Sequence, residues 1–235
     1  MKTIADLHMH SMVSQHAYST LGELSRAAEE KGFCAIALTD HGPGMPDGAI
    51  AHHFFCMSGL PKIINGVRFY TGAEANIMNY TGKLDLEDPL LRKLDFVIAS
   101  YHVECIHPQT VKEHTDGFLK IIGNPHVDCL GHCGNPVFKI DPEAVVSACS
   151  ACGKLIEINS SSFRIRPGSD ITCRKIAELC AERNVHVVVN SDAHSLWQVG
   201  EHTDALKMLE EIHFPEKLVI NASRENLEDY FRTRD

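Results

Sequence analysis

Asp6-Leu-His8-Met-His10 closes the apolar run Thr3–Leu7, and Thr39-Asp40-His41-Gly42 closes the run Cys34–Thr39. Both are short apolar or β-branched stretches that end in imidazoles and a carboxylate. They stand about thirty residues apart, the length of one strand–helix unit. The same interval continues outward from them. Runs at Arg68–Ala73, Asp95–Ser100, Asp128–Gly131, Lys154–Asn159, His186–Asn190 and Leu218–Ile220 read as further strands. Helical patterns lie between them at Leu21–Lys31, Thr110–Ile122, Pro142–Cys152, Ile171–Arg183, Glu201–Ile212 and Arg224–Phe231, with room for a short helix at Leu86–Lys93. Asp141-Pro142 offers an N-cap and a first-turn proline, and Gly32 and Gly153 fall where helices should stop. Strand–helix alternation along a whole chain implies a parallel sheet. No Gly-x-Gly-x-x-Gly turn follows the first run, so the dinucleotide-binding open sheet loses its main support. The longest connection, Gly42–Gly66, reads as a loop broken by Pro43, Pro46 and Pro61, and long loops in compact domains are commonly functional.

The chain has 235 residues, which suits one domain spanning 1–235 of the α/β-barrel size. Its 22 Lys+Arg against 31 Asp+Glu give a net charge of −9, which argues against broad nucleic-acid binding. Composition excludes a disordered chain. No apolar run approaches the roughly 18 residues of a membrane helix, and the first ten residues place polar groups where a signal peptide needs its apolar stretch. Nine cysteines, odd in number and irregular in spacing, read as reduced thiols, and Cys149-x-x-Cys152 reads as a helix end and not a redox pair. Together these features lead us to expect a cytoplasmic protein. The oddity is fifteen histidines, more than the ten phenylalanines.

The placement of those histidines is informative. The third run leads into Gly72-Ala-Glu74, the fourth into His102, the fifth into His132 and the seventh into Ser191-Asp192-Ala-His194, so six strand ends of eight carry a histidine or carboxylate. In a parallel barrel these ends meet on one face, where barrel enzymes place their chemistry. By the period of two, His8 and His10, like Asp192 and His194, should point the same way. Any one of these histidines alone would read as a hydrogen-bonded surface residue. Jointly they require neutralisation, because packed buried charges cost several kcal/mol each unless paired or metal-bound. His8, His10, His16, His41, Glu74, His102, His132, Asp192 and His194 are nine candidate donors. A catalytic zinc commonly takes three protein ligands, so nine suggest three ions, and histidine with carboxylate suits zinc, manganese or iron. Asp6 and Asp40 read as groups that orient imidazoles. His114, His202 and His213 read as exposed helix positions and His186 as a strand residue, while His52-His53 could face an entering substrate.

Asp6-x-His8-x-His10, Thr39-Asp40-His41-Gly42, His102 and Ser191-Asp192-x-His194 resemble the four motifs of the polymerase and histidinol phosphatase (PHP) superfamily. Glu74 in Gly-x-Glu-Ala-Asn and His132 in His-x-Gly-Asn-Pro resemble its YcdX-type bacterial phosphatase branch. The likeness runs from Asp6 to His194. It implies a distorted (β/α)7 TIM-like barrel, with a trinuclear, usually zinc, site at the C-terminal ends of the parallel strands. The resemblance assigns the first ion to His8, His10, Glu74 and Asp192, the second to His16, His41 and His194, and the third to His102 and His132 with Glu74 shared. It also points to a homo-oligomer, a trimer. A seven-strand barrel leaves Leu218–Ile220 as an irregular closing segment.

The sixth strand end carries no candidate donor and runs into Asn159-Ser160-Ser161-Ser162-Phe163-Arg164-Ile165-Arg166. Hydroxyls and guanidinium groups there suit a phosphate, and Arg166, just before Pro-Gly, is the preferred fork. An ordinary serine-rich turn explains the serines equally well, and Glu157 reads as an interior salt-bridge partner. The expected activity is hydrolysis of small phosphate monoesters by hydroxide formed on clustered cations, with Glu74, Asp192 and Arg166 carrying the catalysis. The rivals are a phosphodiesterase or exonuclease, an amidohydrolase, and a metal-bearing scaffold without catalysis. A small phosphorylated substrate is the expected partner, with no membrane and no nucleic acid.

Overall fold

The sequence periodicity builds a sheet of eight strands: β1 (Ala5–Asp6), β2 (Ala35–Leu38), β3 (Ile63–Ile64), β4 (Val67–Asn76), β5 (Phe96–Ser100), β6 (Cys129–Leu130), β7 (Leu155–Asn159) and β8 (Val187–Asn190). The computed structural model describes residues 1–232. Seven strands run parallel in the order β1-β2-β4-β5-β6-β7-β8, and β3 hooks antiparallel onto β4. Helices α1 (Leu21–Glu30), α2 (Ala51–Cys56), α3 (Asp88–Leu91), α4 (Val111–Ile122), α5 (Pro142–Cys152), α6 (Ser162–Ile165), α7 (Ser169–Arg183), α8 (Thr203–Glu211) and α9 (Arg224–Arg232) lie between and after them. Thr20 with Glu23 and Thr110 with Glu113 form capping boxes, Asp141 caps α5 ahead of Pro142, and Gly153 ends it at φ 66°.

Two expectations need correction. Leu218–Ile220 is not a strand: Glu216–Leu218 is a 3-10 turn, and Val219 makes one isolated parallel bridge to Val187. The segment acts as the irregular closure instead. Ile220 N–H donates to the Val187 carbonyl (2.9 Å), and Ile4 N–H donates to the Asn221 carbonyl (2.9 Å). Gly42–Gly66 is not all loop either, since it holds α2, a 3-10 turn and β3. The prolines there punctuate short elements and do not abolish them.

The apolar residues divide between two cores. Ile36, Leu38, Phe69, Ile156 and Val189 face the helices, while Ala35, Ala37, Tyr70, Phe96, Leu155 and Val188 fill the barrel interior. Alternation along each strand produces this division. At the amino ends of the strands α9 stoppers the interior: Leu227 is buried there, and the Phe231 ring stacks on Tyr70 at 3.7 Å between centroids. That leaves the carboxyl ends for chemistry.

One side chain fastens the closing segment. Asn221, fully buried, donates to the carbonyls of Ala5 (2.8 Å) and Val189 (2.6 Å) and accepts from Val189 N–H (3.1 Å). Asn221→Ala should lower unfolding free energy by about 3 kcal/mol, because buried backbone groups on both sides lose their partner. Urea titration with an unchanged slope would measure it, and a loss below about 1 kcal/mol would contradict this role.

Candidate metal centre

Along β4 every second position, Tyr70, Gly72, Glu74 and Asn76, faces the interior, so the strand passes from apolar filling to polar function within a few residues. Glu74 is wholly buried at the centre of the carboxyl end. Its Oε2 lies 3.2 Å from His8 Nε2, 3.5 Å from His10 Nε2 and 3.0 Å from His41 Nδ1. Its Oε1 lies 3.4 Å from His102 Nε2 and 3.0 Å from His132 Nε2. Asp192 Oδ1 stands 3.2 Å from His10 Nε2 and 3.4 Å from His8 Nε2. The His194 ring lies 4.4 Å from that of His10, and the His16 ring 4.8 Å from that of His194. Nine side chains far apart in number therefore share one pole.

β1 and β8 stop at Asp6 and Asn190, before the paired donors begin. His8 and His10 still converge, but Asp192 and His194 do not follow strand alternation. Asp192 takes φ 57°, His132 takes φ 27°, and His194 Nδ1 donates to the Asp192 carbonyl at 2.9 Å. Left-handed backbone at non-glycine residues is a local strain of the kind held at functional sites.

Charges at this pole oppose one another. Burial would raise the Glu74 carboxyl, yet His8, His102 and His41 hold it well below the usual carboxylate range. Asp192 is likewise held well down against burial by His8, His10 and His194. Burial lowers the His8 imidazole, but Glu157, Glu74 and Asp192 outweigh that and raise it well above its ordinary value. His10 is driven well below by burial and by His41 and His194. Burial and the Arg166 guanidinium bring His132 down to about 4.

A second layer fixes the rings. His8 Nδ1 donates to Glu157 Oε1 (2.6 Å), and Glu157 Oε2 accepts from His132 N–H (2.8 Å). His102 Nδ1 donates to Asn76 Oδ1 (2.7 Å), and His16 Nδ1 donates to Asp47 Oδ2 (2.8 Å). Glu157 is thus an interior partner, as read from the sequence. Asn76 was missed, although its place two beyond Glu74 in one strand was a usable signal. Asp47 sits in the long connection and gave none.

Other expectations shift. The Asp6 and Asp40 carboxylates bond none of the nine donor side chains. Asp6 accepts from Ser191 N–H (3.1 Å) and Gly200 N–H (2.8 Å), and Asp40 from Ser11 N–H (2.8 Å) and Ser14 Oγ (2.8 Å). They pin the connections that carry the imidazoles. His53 turns inward to Asp40 at 3.2 Å, while His52 stays exposed against Phe55. His114 and His202 are buried, not exposed: His114 bonds the Lys139 carbonyl (2.8 Å), and His202 bonds Thr3 Oγ1 (2.7 Å). His186 is exposed and precedes β8. The serines serve the fold, with Ser161 Oγ on the Ser191 carbonyl (2.7 Å) and Ser162 Oγ on Asn159 Oδ1 (3.1 Å). Arg164 is exposed, but Arg166 lies beside the cluster, donating to Ser162 Oγ (2.9 Å) with Nη2 3.5 Å from Asp192 Oδ2.

The residues fit metal ions. Among the described residues, seven buried side-chain atoms lack a hydrogen-bond partner, and four are here: His8 Nε2, His10 Nδ1, His41 Nδ1 and Glu74 Oε2. His8/His10/Glu74, His10/His41/His194 and His41/Glu74/His102 each place donor atoms within 4.8 Å of one another. Such unsatisfied donors are what a cation set completes. A 340 Å³ cavity opens onto the cluster between His16, His41, His102, His194 and Arg166.

A seven-stranded parallel barrel with histidine–carboxylate clusters at its carboxyl pole defines a metal-binding barrel protein. The family model described as PHP domain matches residues 6–161, and one described as PHP-associated matches 170–216. The chain belongs to the PHP domain family. It is 42% identical over 234 residues to a protein of Acetivibrio thermocellus named "Probable phosphatase", covering 100% of this chain and 97% of that one. A protein of Caldanaerobacter subterraneus of the same description is 43% identical over 236 residues, covering 100% and 93%. The fold is similar, at TM-score 0.66 and 15% identity over 92% of this chain and 95% of that one, to histidinol phosphate phosphatase from Lactococcus lactis, solved with zinc, L-histidinol and phosphate.

Glu157→Gln keeps the shape beside His8 and removes the charge. Zinc affinity, read by competition with a chromogenic chelator, should fall 10–100-fold; an unchanged affinity would show that Glu157 does not tune the centre.

Proposed function

We propose that this chain is a metal-dependent phosphatase that hydrolyses phosphate monoesters of small molecules at a site of three zinc ions. His8, His10, Glu74 and Asp192 would hold the first ion, His16, His41 and His194 the second, and His102 and His132 the third with Glu74 shared. The observation that carries this reading is a single cavity lined by His16, His41, His102, His194, Glu74 and one guanidinium, with unsatisfied donor atoms of His8, His10, His41 and Glu74 in the same cluster. The names of full-length relatives and the zinc, L-histidinol and phosphate found with a barrel of the same fold support it.

Bound cations would supply Lewis acidity at the phosphoryl oxygens and a water acidified to pKa about 7. The chain's own groups do the rest. Arg166 is held by Ser162, which donates to Asn159 Oδ1, while Asn159 Nδ2 donates to Asp192 Oδ2 at 3.1 Å. This ring of contacts fixes the guanidinium before substrate arrives and leaves further N–H groups for a phosphoryl oxygen. Preorganised donors of this kind favour the transition state without reorganisation. No serine or cysteine is among the described residues that line the cavity, so no hydroxyl or thiol nucleophile stands there. Among the described residues that line it, Arg166 is the only Lys or Arg, and Asp47 and Glu104 are there too. That charge balance suits one phosphate group and not a polynucleotide. No lysine lies where an amidohydrolase needs a bridging one; Glu74 takes that position.

Glu74→Ala should abolish turnover and release most bound metal with the circular dichroism spectrum retained; full metal content with activity would refute the bridging role. Arg166→Ala should raise KM and the inhibition constant of inorganic phosphate by about 10–100-fold, as expected for a lost charge-assisted hydrogen bond. Unchanged phosphate inhibition would remove Arg166 from the site.

A further inference from the structure

Two cavities meet at the neck formed by His102, Glu104, Ile165 and Arg166. The inner one holds the histidine–carboxylate cluster. The outer one, 330 Å³, is walled by Val103, Pro136, Val137, Ile165 and Pro167. These residues come from three separate connections, after β5, after β6 and after β7, the last carrying α6 with Ile165 at its end. Val103, Val137 and Ile165 are 48%, 52% and 62% exposed, so three large apolar side chains offer their surface to the same groove. Exposed apolar surface gathered in one concavity beside a polar site is the usual form of a ligand subsite.

We propose that this outer groove receives the leaving group, and that the substrates are monophosphates of alcohols with an apolar body and no second anionic group. This inference rests on the phosphatase reading. In hydrolysis, water oxygen bonds to phosphorus, the ester P–O bond breaks, and the departing alkoxide takes a proton to leave as the alcohol. In-line attack places the breaking bond opposite the entering oxygen. With the phosphoryl group against the cluster and Arg166, the alcohol points out through the neck into the groove. Glu104 stands at that neck and makes no ion pair among the described residues. Among the described residues Arg166 is the only Lys or Arg of the groove, and the phosphoryl group engages it. A second phosphate would therefore meet a carboxylate with no cation to receive it.

The test uses the zinc-loaded full chain and two unreactive probes, phenylphosphonate and methylphosphonate, titrated by calorimetry. Phenylphosphonate should bind at least tenfold tighter, because its ring leaves water against the apolar wall. Val137→Asp and Ile165→Asp should each shrink that ratio to near one. For Glu104→Gln the KM of a bisphosphorylated alcohol should fall severalfold relative to that of phenyl phosphate. Equal binding of the two phosphonates to the wild type, or a ratio that neither variant moves, overturns the subsite. Turnover judges the underlying reading separately. A zinc-loaded protein that releases no phosphate from phenyl phosphate or any other monoester loses the phosphatase reading and this inference with it, whereas turnover with an unmoved ratio overturns the subsite alone.

Discussion

A carboxylate taken wholly out of water sets the terms for this structure. Glu74 lies among five imidazoles, those of His8, His10, His41, His102 and His132, and none of its charge reaches solvent. An unpaired buried carboxylate would cost several kcal/mol, so positive charge must come to it. Protons alone supply it unevenly: His8 is pushed up while His10 and His132 are pushed down. Cations meet the same need with every imidazole neutral, the form in which imidazole ligates. Metal uptake and folding stability are then linked, since an ion that binds only the assembled pole stabilises that pole.

The same strands make both the filled interior and the reactive end. Tyr70, Phe96, Leu155 and Val188 pack the amino half, and Glu74, Glu157, Asn159 and Asn190 follow on the same inward files. Glu157 is the hub of the second layer, bonded to His8, to the His132 backbone, to Asn159 and to Asn190. A network this fully satisfied holds ring orientation without an ion present. The stopper formed by α9 at the other end spares the strands from sealing the barrel with the residues that do chemistry.

What the sequence made legible was whatever follows a fixed period. Strand spacing gave the parallel sheet, the motif resemblance gave its closure into a barrel, and the strand ends singled out Glu74. Convergence of the histidines followed from topology, because successive parallel strands must end on one face. Features set by irregular backbone were hidden. The left-handed turns at His132 and Asp192 are not encoded by residue type, since neither is glycine. Asp47 reaches His16 from a connection whose path depends on three prolines and on α2. His114 and His202 were misread because helical position does not say what packs over a helix. Asn221 closes the barrel from a segment with no strand pattern beyond three apolar residues.

The barrel's one seam without a strand ladder and its most charged region coincide. Between β8 and β1 no continuous ladder forms; the amino end is bridged through Val219 and Asn221, the middle by Leu7 N–H on Asn190 Oδ1 (2.9 Å) and Ser191 N–H on Asp6 Oδ1 (3.1 Å), and the carboxyl end by one parallel bridge, Met9 to Ala193. There His10 N–H donates to the Ala193 carbonyl (2.8 Å), and Ala193 N–H to the His8 carbonyl (3.3 Å). The residues that stitch this edge are flanked by His8 and His10 on one side and by Asp192 and His194 on the other. Side chains therefore do at this edge what a backbone ladder does elsewhere, each hydrogen bond contributing about 1 kcal/mol net. Donor side chains from both edges face one cavity, so whatever they bind in common also ties the edges together. The seam therefore favours a centre built from several strands over one built from a single loop, and the burial of Glu74 opposite it, on β4, makes the closure span the width of the barrel.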